Sequence, residues 1–268
     1  MSIFRNNIQT IQEIYLKRKI YFRLIKIHYS NIYSGSRLGF LWLFLGPLIL
    51  LFLYSITYSL VYRIVLPDYS VLQYITSVYA GLMILLTFMN LLSSCTNGLR
   101  QSYRLKQFGL ENKSIPIKIA LTEIIPFSIG MLILSILSIF TCRSVIQIIF
   151  MPIFLFLFSF FAIGVARIMS IFGALFKDFL YIIPYLGIIL LLLTPISYIP
   201  TMIPSGLRIM FMINPIYYFC IFLQSLSVEG KIEIGILFPI VLISLFLPYL
   251  GDKFFKRTFP LIQDSLSQ

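Results

Sequence analysis

Charged residues make up only 11% of this 268-residue chain, against 59% apolar. A water-soluble fold has no interior large enough for that much apolar surface. Histidine occurs once, at His28, with no neighbouring His, Cys or carboxylate cluster to make a metal set or a catalytic partnership. The three cysteines, Cys95, Cys142 and Cys220, lie far apart in or beside apolar runs and form neither a disulfide framework nor a zinc pattern. Acids are also few: Glu13, Asp68, Glu111, Glu123, Asp178, Glu229, Glu233, Asp252 and Asp264 all fall in expected loops, tails or span ends, with only Glu123 arguably inside a helix. Ion-driven transporters hold ionisable groups in mid-membrane, so this distribution argues against secondary transport and against acid–base catalysis within the membrane. A phosphate-binding loop is missing as well. Its nearest approach, Asn112-Lys113-Ser114, lacks glycine at Asn112 and five residues earlier at Gln107.

What is present is a series of charge-free stretches: Leu38 to Tyr62, Tyr69 to Leu99, Ile124 to Cys142, Ser144 to Ala166, Phe179 to Leu207, Ile209 to Val228 and Ile234 to Gly251. Crossing a hydrocarbon core as a helix takes about 20 residues. Backbone groups in lipid must be bonded within their own segment, so continuous runs mean helices, and the period-two alternation of a transmembrane barrel is absent. The expected fold is an all-α membrane protein of about six spans, one domain over residues 1–268. Residues 1–37 are an interfacial N-terminal region, 38–252 the bundle and 253–268 a tail.

Net charge is +12, from 21 Lys and Arg against nine acids. The basic residues sit between spans and not in one aromatic-interleaved basic domain, so they read as topology signals and no nucleic acid is expected. With six spans, one side receives Arg5, Lys17, Arg18, Lys19, Arg23, Lys26, Arg37, Arg100, Arg104, Lys106, Lys113, Lys118, Arg167, Lys177, Lys253, Lys256 and Arg257. The other receives only Arg63, Arg143, Arg208 and Lys231. Both ends of the chain are therefore expected to be cytoplasmic. Seven spans give a weaker bias, with Lys231 moving inward and Lys253, Lys256 and Arg257 joining Arg208 on the outside.

Local chemistry also favours six. Asn214-Pro215 cuts the Ile209 to Val228 stretch, because proline lacks a donor and turns the residue before it away from helix. The 14 residues from Pro215 to Val228 suit a re-entrant or interfacial helix. Ile196 to Gly206, with Pro200, Pro204 and Gly206, reads as irregular chain in an external loop. Before the first span, Ile8, Ile11, Tyr15, Phe22 and Ile25 share one face at 100° per residue, as an interfacial helix requires; a helix packed on cytoplasmic protein is the alternative. That N-terminal stretch is broken by Arg5, Lys17, Arg18, Lys19, Arg23 and Lys26 and is no signal peptide, so it is expected to be retained.

Tyrosine is plentiful in the spans. Tyr54, Tyr58 and Tyr62 follow at helical spacing, then Tyr74 and Tyr79. Tyr62 and Tyr74 suit the interfacial aromatic belt. Deeper phenols need hydrogen-bond partners, which a hydrated path would supply. Aromatic faces also stack on sugar C–H faces, so the stripe reads either as membrane packing or as a sugar path.

At Tyr33-Ser34-Gly35-Ser36-Arg37-Leu38-Gly39-Phe40-Leu41-Trp42, followed by Gly46-Pro47, the chain resembles the opening of ABC-2 type permeases of the polysaccharide exporters, which serve O antigen, capsule and teichoic acid. That family reads Tyr-x-x-Ser-x-Leu-Gly-x-x-Trp there, with a proline near the start of span one. Leu110-x-x-Lys113-x-x-Pro116 looks like the end of its cytoplasmic loop, and Phe176-Lys177-Asp178 like its Arg-Asp element before span five. Thr194-Pro195, Pro204 and Asn214-Pro215 resemble its external region. Ile32 and Lys177 depart from the family's usual arginines, and Glu111 from an apolar or basic position.

The resemblance implies a homodimer in the bacterial inner membrane with two copies of a separate ATP-binding subunit. ATP and magnesium would be held there, with no cofactor and no enzyme site on this chain. The substrate it implies is a polysaccharide on undecaprenyl diphosphate or another lipid anchor. It implies a coupling loop at Asn97 to Pro116, with Arg100, Arg104, Lys106, Glu111, Lys113 and Pro116. It implies an external gate at Pro204, Asn214, Pro215, Tyr217 and Tyr218. Trp42, Tyr54, Tyr58 and Tyr79 are the expected aromatic path. Arg37 is the expected entrance for a phosphate-bearing head, which arginine can bond bidentately; positive-inside topology and anionic lipid account for it equally well. Three other classes make different demands on the sequence. A small-molecule ABC-2 exporter would need no wide aromatic path, a membrane-bound glycosyl- or acyltransferase would need a catalytic constellation, and a secondary flippase would need mid-membrane charge.

Overall fold

The computed structural model describes residues 2–57, 69–102, 112–141, 146–176, 178–198 and 200–262. Among them are ten α-helices and no strand. They are α1 (Ser2–Leu16), α2 (Arg18–Ile32), α3 (Trp42–Ile56), α4 (Val71–Ser102), α5 (Ile115–Thr141), α6 (Ile146–Leu175), α7 (Phe179–Leu192), α8 (Arg208–Ile213), α9 (Pro215–Val228) and α10 (Ile234–Ile262). Five helical segments, Gly39–Ile56, Val71–Leu99, Ile115–Thr141, Ile146–Leu175 and Ile234–Ile262, are long and apolar enough to cross a bilayer. This is a multi-pass all-α membrane protein.

The remaining charge-free stretches are where the fold departs from simple spans. α7 has 14 residues, about 21 Å at 1.5 Å per residue, against a hydrocarbon core of about 30 Å. It is therefore a shorter helix than the run Phe179 to Leu207 suggests, because the chain breaks before Thr194-Pro195. Two short 3₁₀ turns, Pro200–Met202 and Ser205–Leu207, follow in otherwise irregular backbone. The segment Ser205–Ile213 then meets α9 at a 100° bend. Asn214 sits at that corner with extended backbone and caps α9, accepting from Ile216 N at 3.0 Å, while Pro215 occupies the first helical position, where its missing donor costs nothing.

Hydrogen bonds fix the direction of the return. Asn214 Nδ2 reaches Leu193 O and Thr194 Oγ1 beyond the end of α7. At the other end of α9, Ser227 O accepts from Thr141 Oγ1 at the last residue of α5. α9 therefore climbs back to the end that α7 approaches, and α10 starts there and runs to the opposite end. α1 lies against α10, where Asn7 donates to Leu245 O at 3.0 Å and Arg5 shares a groove with Lys253, Lys256 and Arg257. Below, this is the basic end, and the end holding the α9–α10 turn is the far end.

The core is aromatic. Phe127, Phe154, Phe158, Phe161, Phe219 and Phe222 are all buried, with ring centroids 4.5–6.3 Å apart in the stacks and edges that join α5, α6 and α9. α6 and α10 approach almost backbone to backbone. A Cβ on Gly164 would stand 2.7 Å from Leu247 C, and one on Gly251 would stand 2.8 Å from Gly164 O. Small residues permit such approach in membranes, where packing replaces the hydrophobic effect as the driving force.

Candidate functional site

The N-terminal pair sets up the basic end. α1 and α2 are separate helices broken at Lys17, not one continuous helix. Their apolar stripe points outward: Ile8, Ile11, Tyr15 and Phe22 are exposed, and Ile25 is half-buried. The polar side of α1 faces inward instead, with Asn6, Asn7 and Thr10 buried. An amphipathic helix bonded to the bundle through polar atoms, with its apolar face free, has the geometry of an interfacial helix.

That polar side is part of a continuous joint. Arg167 of α6 is 4% exposed and donates to Pro248 O of α10 at 3.0 Å and to Thr10 Oγ1 of α1 at 3.1 Å. Its guanidinium is 3.9 Å from Asp252, which also holds Lys256 at 2.6 Å. One turn along α1, Glu13 pairs with Lys17 at 3.6 Å. Ser114, at the foot of α5, accepts from Lys17 Nζ at 3.1 Å and donates to Glu13. Tyr21 of α2 packs beside them; burial first, and then the Glu13 carboxylate, hold its phenol far above the usual tyrosine range. A buried ion pair is stable only when its remaining donors and acceptors are also met, and Thr10, Pro248 and Lys256 meet them here. The joint thus binds α1, the start of α5, α6 and α10.

Beside it, α2, α4 and α5 enclose a cavity of about 430 Å³ lined by His28, Asn31, Asn97, Lys118 and Glu123 among others. Ser94 donates to Glu123 Oε1 at 2.6 Å, and Tyr29 of α2 anchors to Thr122 O at 2.7 Å. Burial first, then the neighbouring Lys118 charge, lower the pKa of His28. On the other side of the joint, Arg5, Lys253, Lys256 and Arg257 border a groove that also contains Asp252.

No protein-family model matches this chain, and no curated protein matches it.

The candidates named from sequence distribute unevenly. The Tyr33–Trp42 motif forms the turn between α2 and α3. Gly35 and Gly39 take positive φ values of 82° and 50°, which side chains with a Cβ resist. Tyr33 stacks on Tyr29, and Trp42 Nε1 donates to Ser36 Oγ at 3.0 Å. Arg37 is exposed at this turn. Tyr54 is half-buried in α3 against a small cluster with Tyr74 and Leu85. Tyr79 requires a correction: its ring is 1% exposed within the bundle, so it presents no face to a path. Tyr58, Arg104, Lys106 and Glu111 lie outside the described residues, and Arg100 is described only as backbone near the end of α4. Lys113 is exposed in a 3₁₀ turn, and Pro116 is buried in the first turn of α5. Pro204 is exposed, Asn214 and Pro215 form the corner already described, and Tyr217 and Tyr218 meet edge to face at 5.4 Å in the first turn of α9.

Sequence reasoning missed the joint. It counted Arg167 among loop charges, yet the residue is inside α6. Its partners Thr10 and Asp252 are remote in the chain, and only an isolated arginine next to a long apolar run could have signalled it.

Proposed function

We propose that this chain is the transmembrane permease subunit of an ATP-driven ABC transporter that exports a lipid-linked polysaccharide, an O antigen or capsular polymer, across the bacterial inner membrane. The observation that carries this reading is Ser114. It terminates the basic loop that would meet the motor, and it is hydrogen-bonded to Glu13 and Lys17. Through Thr10 and Arg167 the same joint reaches α6 and α10. Force applied by an ATPase to residues between Asn97 and Pro116 would reach the first, second, fifth, sixth and tenth helices together. Two copies of the ATP-binding subunit, carrying ATP and magnesium, would act on two copies of this chain. The basic end would face the cytoplasm, with α1 lying in the headgroup layer against membrane lipid. The bent α8–α9 pair would dip into the outer leaflet as a gate around Pro204, Asn214, Pro215, Tyr217 and Tyr218. Arg37 would receive the phosphate of the lipid anchor, and Trp42, Tyr54 and Tyr58 would line the path. The burial of Tyr79 shortens that path, which keeps a small-molecule exporter of the same architecture as the second reading.

The test is deletion of the chain followed by complementation. Surface polysaccharide is expected to disappear while lipid-linked polymer accumulates inside, wild type restoring both and Tyr54→Ala restoring them only in part at equal expression. Unchanged surface polymer in the deletion strain overturns the polysaccharide reading.

A further inference from the structure

We propose that the far end carries a saccharide-binding pocket that accepts a neutral or amino-bearing sugar and rejects an acidic one, an inference that rests on the polysaccharide reading above. The observation is a cavity of about 470 Å³, within the roughly 300–1,000 Å³ typical of small-ligand sites. It is formed where the start of α4, the irregular stretch after α7, helix α9 and the α9–α10 turn converge. Tyr69, Tyr198, Tyr217, Gln224, Glu229 and Glu233 supply its chemistry.

These groups are held before any ligand arrives. Tyr69 donates to Glu229 Oε1 at 3.0 Å, and Lys231 holds Oε2 of the same carboxylate at 2.8 Å. Tyr198 donates to Leu192 O at 2.7 Å and meets Phe211 edge to face, which fixes its ring. Tyr74 steadies the same stretch by donating to Ser197 O. The Gln224 amide nitrogen lies 3.0–3.3 Å from the carbonyls of Pro195, Ser77 and Ile196. That leaves its Oε1 with no donor among the described residues. Burial first, then the bond to Glu229, push the Tyr69 phenol up to about 12, so it remains a donor at any physiological pH.

The complementarity follows from the shape of a pyranose, which has a C–H face and an edge of hydroxyl donors. Ring faces of Tyr198 and Tyr217 suit the first. Glu233, Glu229 and Gln224 Oε1 are acceptors, and acceptors suit the second, with a carboxylate able to take two vicinal hydroxyls or an ammonium. No Lys or Arg lines the cavity among the described residues. Lys231 is already committed to Glu229 at 2.8 Å, so a uronic acid or a phosphorylated sugar would bring its charge against Glu233 and compete with Glu229 for that cation, and an uncompensated charge placed there is costly.

The experiment uses the full chain in lipid nanodiscs and saturation-transfer NMR with three probes: a neutral trisaccharide of N-acetylglucosamine, its de-acetylated amino form, and a trisaccharide of galacturonic acid. The first two are expected to show transfer and the third none. Tyr198→Ala is expected to weaken the neutral probe by about tenfold, the order set by loss of an aromatic contact. Tyr198→Phe, which keeps the ring, is expected to retain binding and so separates ring loss from misfolding. Glu233→Lys is expected to admit the acidic probe. Equal binding of the acidic and neutral probes to the wild type overturns the proposal, and so does absence of transfer from all three. Either result leaves the exporter reading intact if the deletion strain still loses surface polymer, whereas unchanged surface polymer defeats that reading whatever the probes do.

Discussion

The two ends of the bundle are held by different chemistry. At the basic end, charged groups bridge separate helices: Arg167 joins α6 to Asp252 of α10, and the local Glu13–Lys17 pair of α1 is tied to the foot of α5 by Ser114. At the far end the buried bridges are neutral, the ionic contact of Glu229 with Lys231 being solvent-exposed. Thr141 bonds Ser227 O, Asn214 bonds Leu193 O and Thr194, and Gln224 spans three carbonyls. The first arrangement fails abruptly when one member is removed, since a buried charge without its partner costs several kcal/mol. The second is made of bonds each worth about 1 kcal/mol, which can be exchanged one at a time. Under the proposed exporter reading, the joint would be the driven end and the broken chain the end that opens.

The sharpest break of that contrast is Arg167→Met. It leaves Thr10 and Pro248 O without their donor and Asp252 with Lys256 alone. The expected loss is about 1–3 kcal/mol, the cost of leaving buried acceptors without their charged donor, read as a lower thermal midpoint in detergent and as faster hydrogen exchange over residues 2–16. A single variant no weaker than a surface substitution would mean that α1 is held by something else.

At the far end the matching change is Asn214→Ala. It removes the cap on Ile216 N and the bonds to Leu193 O and Thr194, at an expected cost of about 1–2 kcal/mol. Hydrogen exchange is expected to rise over residues 208–219 and not over residues 2–16. If both regions loosened together, the two ends would be one cooperative unit and the contrast would not hold.

How far each feature was legible depended on whether its cause is local. Charge-free runs gave away the long helices because lipid forces backbone bonding inside each segment, and Asn214-Pro215 gave away the corner because proline acts on its immediate neighbours. The early end of α7 was less visible, since Thr194-Pro195 lies inside an unbroken apolar run. Arg167 and Tyr79 were illegible for a different reason. Each reads by composition as a boundary charge or a path tyrosine, and only the rotation of its helix decides that Arg167 turns toward Thr10 and that Tyr79 turns into the core. Along α1 the exposed stripe was readable, but the docking of its opposite face through Asn7 and Thr10 needed partners more than 150 residues away.

His28 provides the smallest test, and it asks whether the basic end depends on charge beyond the Arg167 joint. Burial first and Lys118 second hold its pKa below the ordinary value, which for an unfolded chain is about 6.5. The unfolded state therefore binds a proton more readily, and stability rises with pH wherever that is so. The contribution of a neutral His28 is fully present above about pH 6.5 and declines as the pH falls below it. The thermal midpoint of the wild type is accordingly expected to drop between about pH 6.5 and 5 by more than that of His28→Gln, which carries no proton equilibrium there. Parallel profiles for the two proteins would mean that α2 tolerates a cation beside Lys118, and the special sensitivity of the basic end would then rest on Arg167 and its partners.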